Sequence, residues 1–115
     1  MGVRLFGFEG IYTVVAPPEE VQLLAAPGAG KKRVVISLSI RKFDPAGIDS
    51  VAITKKVGST SIPVFSEEFQ PGYKRDLQDY QIVLEDDNQT LWLQFLDAAV
   101  VTDDWHWDGV YADVD

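Results

Sequence analysis

Apolar and polar residues alternate along much of this chain, most clearly over residues 34–41 of the segment 30–44. A period of two over that length, rich in β-branched side chains, predicts a long central strand with one face in a hydrophobic core. We expect the buried face of this strand to be Val34, Ile36, Leu38 and Ile40, which alternate with Val35, Ser37, Ser39 and Arg41.

Shorter segments of the same character follow one another at intervals of about ten residues. They are residues 11–16, 21–25, 50–57, 60–65, 80–84, 90–96 and 104–114. Turn-forming residues separate them, such as Pro17-Pro18 and the DPAG sequence that begins at Asp44. No stretch has the 3.6-residue period of a long amphipathic helix. The pattern predicts an all-β protein, a single antiparallel β-sandwich that is jelly-roll-like and has about eight strands.

Several local features follow from the same pattern. Residues 66–75 are polar and contain Pro71-Gly72, which predicts an exposed loop. Asp108-Gly109 predicts a β-bulge in the last strand. The apolar segment at residues 3–8 is interpreted either as part of an N-terminal arm, residues 1–9, or as an edge strand. The rest of the predicted core is Val51, Ile53, Ile82, Leu84, Leu91, Leu93 and Phe95.

Length and composition limit the function classes. A chain of 115 residues corresponds to one domain, residues 1–115. The absence of cysteine excludes disulfides, thiol catalysis and thiolate metal sites within it. No apolar run is long enough to span a bilayer, and the first ten residues lack the apolar region of a signal peptide. We therefore expect no membrane association.

Charge is unevenly distributed along the chain. Residues 1–75 carry ten basic and seven acidic side chains, whereas residues 76–115 carry eleven acidic and no basic ones. The only compact basic group, Lys31-Lys32-Arg33, is short and has no aromatic residues among it, so nucleic-acid binding is not expected. We interpret these cations as side chains at the entrance of a strand.

No group of residues predicts catalysis or a cofactor. The single histidine, His106, has no nucleophile motif around it and is interpreted as a strand residue. Two acidic clusters, residues 85–88 and Asp103-Asp104 with Asp108, supply oxygens but do not match the spacing of a calcium-binding loop. The sequence thus predicts no enzyme, no metal and no cofactor.

The aromatic residues of the last strand are the most unusual feature. With a bulge at Asp108-Gly109, Trp105 and Trp107 point into the core; without one, Trp105, Trp107 and Tyr111 form an outward stripe. An exposed stripe of this kind marks a protein or sugar contact. The predicted interface residues are these three together with Leu5, Phe6 and Phe8 of the N-terminal segment.

The order of these features resembles that of small β-sandwich proteins of tailed bacteriophage particles. The resemblance is carried by the Pro-Gly lead at residues 26–28, the basic residues before the long strand, and the segment 82–92, IVLEDDNQTLW. It implies a virion structural protein made in the host cytoplasm: a capsid decoration or cement protein that binds the major capsid protein as a homo-oligomer, with a trimer favoured. The alternatives are a neck, tail or fibre component, or a carbohydrate-binding module that uses Trp105, Trp107 and Tyr111.

Overall fold

The computed structural model describes residues 3–15, 19–43, 49–70, 72, 74–77, 82–96 and 104–114. Within these ranges the chain forms strands and turns and contains no helix. The strands are β1 (Val3–Thr13), β2 (Glu19–Leu24), β3 (Lys32–Lys42), β4 (Asp49–Val57), β5 (Thr60–Phe69), β6 (Lys74–Asp76), β7 (Ile82–Glu85), β8 (Gln89–Phe95) and β9 (Asp104–Val114).

These strands pair into two antiparallel sheets. Sheet I has the order β1-β9-β3-β6, with β7 paired to the same edge of β3 as β6, and sheet II has the order β2-β8-β4-β5. The first strand therefore pairs with the last, the second with β8, and β3 with β6 and β7. This is a long hairpin rolled into two packed sheets, the arrangement of a jelly roll. The predicted all-β sandwich is confirmed.

The core lies between the two sheets and follows the predicted alternation in most strands. Leu91, Leu93 and Phe95 of β8 are each at most 1% exposed. The other predicted core residues that are buried are Leu38, Ile40, Val51, Ile53, Ile82 and Leu84. Each contributes apolar area from one face of a strand, which is what stabilises a sandwich of this type.

The first half of β3 faces the opposite way from the prediction. Val35 is buried, whereas Ile36 is 48% exposed and Val34 is only half-buried. The cause is a β-bulge: Val35 lies opposite Tyr111 and Ser37 lies opposite Val110, which leaves Ile36 as an extra residue. One extra residue exchanges the two faces of everything before it. The predicted burial of Val34 and Ile36 is wrong for this reason.

The bulge predicted at Asp108-Gly109 is absent from β9. Its pairing with β1 runs without a shift from Val3 opposite Val114 to Thr13 opposite Asp104. β1 is likewise one continuous strand through Gly10, so residues 3–9 belong to an edge strand of the sandwich. The edge-strand interpretation of this segment is the one observed.

Most of the predicted loop at residues 66–75 is also strand. β5 continues to Phe69 because it pairs with β4 along its length, from Thr60 opposite Val57 to Phe69 opposite Asp49. Phe69 is fully buried, and Gly72 lies in a turn with a φ of 73° before β6. The remaining predicted turns at residues 17–18 and 44–47 lie outside the described residues.

Candidate interaction surface

The two tryptophans of β9 lie in the core. Trp105 is fully buried and packs edge-on against Phe69 and Phe95, with ring centroids 5.2 and 5.3 Å away. Trp107 is 7% exposed, and Tyr111 lies half-buried against the same core. Of the two alternatives for these side chains, the inward one is observed, although no bulge in β9 produces it. The three rings therefore do not form an exposed platform on which a sugar could stack.

Glycines on the neighbouring strands make room for these rings. Gly10 lies directly opposite Trp107, and Gly109 lies opposite Phe8. A Cβ atom at Gly10 would stand 2.2 Å from Cζ2 of Trp107, and one at Gly109 would stand 2.7 Å from a ring carbon of Phe8. In both pairs the ring of one strand covers the glycine of the other, which is a recognised way to stabilise glycine in a sheet.

The N-terminal strand carries the exposed apolar residues that the sequence singled out. β1 is the edge of sheet I, and among the described strands it pairs only with β9. Leu5 is 67% exposed on its outer face, and so is Ile11. Phe6 is 38% exposed and stacks on Tyr111, whereas Phe8 is half-buried. An eleven-residue apolar edge strand is a surface to which a further chain can add.

The outer face of sheet I is ordered into rows that cross the strands. Residues that lie opposite one another on neighbouring strands share a face, so the pairing registers define each row. The apolar row is Leu5, Ala112, Val34 and Val83. The acidic row is Glu9, Asp108, Ser39 and Asp76. The basic row is Ile11, His106, Arg41 and Lys74.

The acidic and basic rows lie side by side, about 7 Å apart, because their members are two residues apart on each strand. Glu9 and Asp108 are carboxylates placed directly opposite each other, an unfavourable pair in isolation. Asp76 accepts a hydrogen bond from the hydroxyl of Ser39. A groove of about 600 Å³ runs over both rows. At its end the ring of Phe43 contacts His106, centroid to centroid at 3.9 Å, and the Arg41 guanidinium at 4.4 Å.

The polar groups on the outer face of sheet II bond to one another. Gln94 donates to Glu20 at 2.9 Å and accepts a bond from the Thr54 hydroxyl at 2.9 Å. Lys56 also donates to Glu20, and its ammonium lies 4.1 Å from the centre of the Trp92 ring. The hydrogen bond from Lys56 lowers the pKa of Glu20, and the bond from Gln94 adds to this. The charged groups of this network are compensated within the chain.

Arg33 has a structural role at the entrance of β3. Its guanidinium donates to both carboxylate oxygens of Asp113, at 2.8 and 3.1 Å, and to the carbonyl of Ala25 at 2.9 Å. It also lies 4.5 Å from the centre of the Tyr111 ring. The bond to Asp113 raises the pKa of Arg33. This cation was grouped in the sequence with Lys31 and Lys32, but only Arg33 is held by so many partners.

Nothing in the described part of the chain assembles a metal site: no three His, Asp or Glu side chains there are placed to hold an ion. In the acidic cluster at residues 85–88, Asp86 has a φ of 62° and its carboxylate accepts a bond from the Gly30 amide at 3.1 Å, so it forms a turn. The residues that the structure describes include no helix long and apolar enough to cross a membrane.

Comparisons with solved structures show the same fold in proteins of low sequence identity. A capsid protein of the infectious bursal disease virus T13 particle has a TM-score of 0.57 at 10% identity over 96% of this chain, which spans 30% of that chain. A chain of the cyanophage Pam1 capsid asymmetric unit has a TM-score of 0.54 at 10% identity over 98% of this chain and 85% of its own. A protein of the disulfide-linked pili of Bacillus endospore appendages has a TM-score of 0.57 at 12% identity over 96% and 86% of the two chains.

At these identities the likeness shows the fold and no more. No protein-family model matches the chain, and no curated protein sequence matches it.

Proposed function

We propose that this chain is a structural, non-enzymatic protein of a tailed bacteriophage particle that binds the major capsid protein as a decoration or cement protein and stabilises the shell. The observation that carries the proposal is the apolar edge strand β1 with its exposed Leu5. Strand addition to such an edge gives a main-chain contact that is independent of any ligand chemistry.

The share of each matched capsid chain that this fold covers supports the proposal. The cyanophage capsid chain is matched over most of both chains, so the whole of this domain corresponds to most of a phage capsid component. The match to the infectious bursal disease virus protein covers only a part of that longer chain. A small, separate capsid-bound protein fits the first relationship better than the second.

The low charge of β1 also favours the binding of a partner strand. Residues 3–13 contain one cation, Arg4, and one anion, Glu9, in a chain whose net charge is −8. A strand that pairs with β1 therefore meets these two charges first, and the carboxylates of β9 lie one strand further into the sheet. Leu5, which is exposed, supplies the desolvated contact that charge alone does not give.

Mass spectrometry of purified particles tests the proposal directly. The chain is expected in intact virions at a copy number proportional to that of the major capsid protein, and in heads separated from tails. Its absence from purified virions would overturn the proposal.

A fibre or tail component is the second candidate, because the fold is also that of a pilus protein matched over 86% of its length. That assembly is disulfide-linked, and the present chain contains no cysteine with which to form such a link. The same particle fractions distinguish the two candidates, since a fibre component would be found with the tails.

A further inference from the structure

The acidic and basic rows on the outer face of sheet I are complementary to each other. They run in parallel across the same four strands, so Asp76 stands beside Lys74 on β6, and Asp108 stands beside His106 on β9. All of these charged side chains are at least partly exposed. A surface with this pattern matches a copy of itself that has been rotated by half a turn.

We propose that this face binds a second copy of the chain about a two-fold axis that lies in the contact plane, parallel to the rows and between them. The rotation brings the acidic row of each copy over the basic row of the other. Asp108 then meets His106 of the second copy, and Asp76 meets its Lys74. An axis along the strands would instead place each row on its like, and repulsion disfavours it.

The same rotation brings together two exposed apolar residues of β3. Since Ser39 meets Arg41 of the second copy, the bulge at Ile36 comes near Phe43 of that copy. Ile36 is 48% exposed and Phe43 is 43% exposed, and each lies beside a charged row. Their contact would remove both side chains from water at the two ends of the charged zone. The neighbouring ion pairs would then be less exposed to water, which strengthens their attraction.

The contact leaves free the N-terminal part of the capsid-binding edge, which contains Leu5. The overlapping zone extends from Phe43 to the bulge, so the apolar row that contains Leu5 lies beyond it. A zone of about four rows on four strands, roughly 25 by 15–20 Å, is at the low end of specific interfaces. We therefore expect a weak dimer with a Kd in the range of about 1–100 µM. A two-fold contact predicts a dimer in place of the trimer expected from the sequence.

Charge reversal on β6 tests the contact, because Lys74 of each copy faces Asp76 of the other copy across the axis. Lys74→Glu places Glu opposite Asp76 twice in each dimer, and Asp76→Lys places Lys opposite Lys74 twice. Each variant alone should dimerise at least about tenfold more weakly, as measured by sedimentation equilibrium on the purified protein. Lys31→Glu has the same charge change outside both rows and should dimerise as the wild type does.

An equimolar mixture of the two reversed variants separates this contact from any other. In the mixed dimer both positions carry opposite charges again, so association should return to within about threefold of wild type. A change that acted only within one chain, such as loss of the Lys74–Asp76 pair at 3.7 Å, would not be restored by mixing. A wild type that is monomeric up to about 1 mM, or a mixture that stays as weak as its components, would overturn the proposal. The measurement needs no capsid, so its failure would leave the proposed virion role untouched.

Discussion

Gly10 of β1 lies under the indole of Trp107 on β9, and the space that a methyl group would need at Gly10 is occupied by that ring. Each strand thereby fixes the position of the other at the edge of sheet I. The pair links an edge strand of the sandwich to one of its largest core side chains.

Gly10→Ala should therefore destabilise the protein. The added Cβ would lie 2.2 Å from Cζ2 of Trp107, so the buried indole has to move, and overpacking of this kind costs about 1–3 kcal/mol. Gly7→Ala is the matched control on the same strand, since the nearest atom to its Cβ is 3.9 Å away. Chemical denaturation of both variants measures the difference. Equal stabilities would mean that Trp107 is not held against Gly10.

Two isoleucines of β3 test the position of the bulge. Ile40→Ala removes a fully buried side chain and should cost about 2–5 kcal/mol, whereas Ile36→Ala removes one that is 48% exposed and should change stability by less than about 0.5 kcal/mol. The chemical change and the strand are the same in both variants. If Ile36→Ala were the costlier substitution, the bulge would be misplaced and the alternation predicted from the sequence would hold.

The guanidinium of Arg33 should not be replaceable by an ammonium. Arg33→Lys loses the paired hydrogen bonds to Asp113 and part of the contact with Ala25, and we expect a loss of about 1–3 kcal/mol in the free energy of unfolding. Lys32→Ala is the control, because its ammonium is exposed and 3.8 Å from Glu85. Thermal melts of the two variants should rank Arg33→Lys as clearly less stable; the reverse order would remove Arg33 from the structural role assigned to it.

Acidification should weaken the network on sheet II. The pKa of Glu20 is lower in the folded chain than its ordinary value because Lys56 donates a hydrogen bond to it. The contribution of Glu20 to stability is therefore fully present at a pH above the ordinary pKa, and it is lost as the pH falls through the lowered pKa. Glu20→Gln lacks this contribution at every pH. The wild type should be more stable than Glu20→Gln at neutral pH, and the difference should shrink below the ordinary pKa of 4.5. A difference that stays constant down to that range would contradict the assignment.

The sequence predicted the sandwich and most of its core because strands such as β8 alternate without interruption. The predicted burial of Ile36 was wrong because one extra residue in β3 exchanges the inner and outer faces of the strand before it. Nothing in the local pattern marks where that residue lies. The sequence did not predict the pairing of Gly10 with Trp107, which depends on two segments almost a chain length apart.

The sequence did not predict the charged rows either, because they also depend on segments that are far apart in the chain. His106 and Asp108 are visible as a polar pair within a strand, but Arg41 and Lys74 become their neighbours only through the register of three strands. A turn or a β-strand can be predicted from the local sequence, whereas predicting a surface assembled across a sheet requires the order and register of its strands.

Binding to capsids tests the central claim of a docking edge at β1 most directly. The measurement compares wild type, Leu5→Glu and Ile62→Glu on purified capsids that lack the chain; Ile62 is a 46% exposed isoleucine on β5, in the other sheet. All three proteins should remain folded, and Leu5→Glu should bind at least about tenfold more weakly while Ile62→Glu binds as the wild type does. Equal binding by wild type and Leu5→Glu, or a loss confined to Ile62→Glu, would contradict the account.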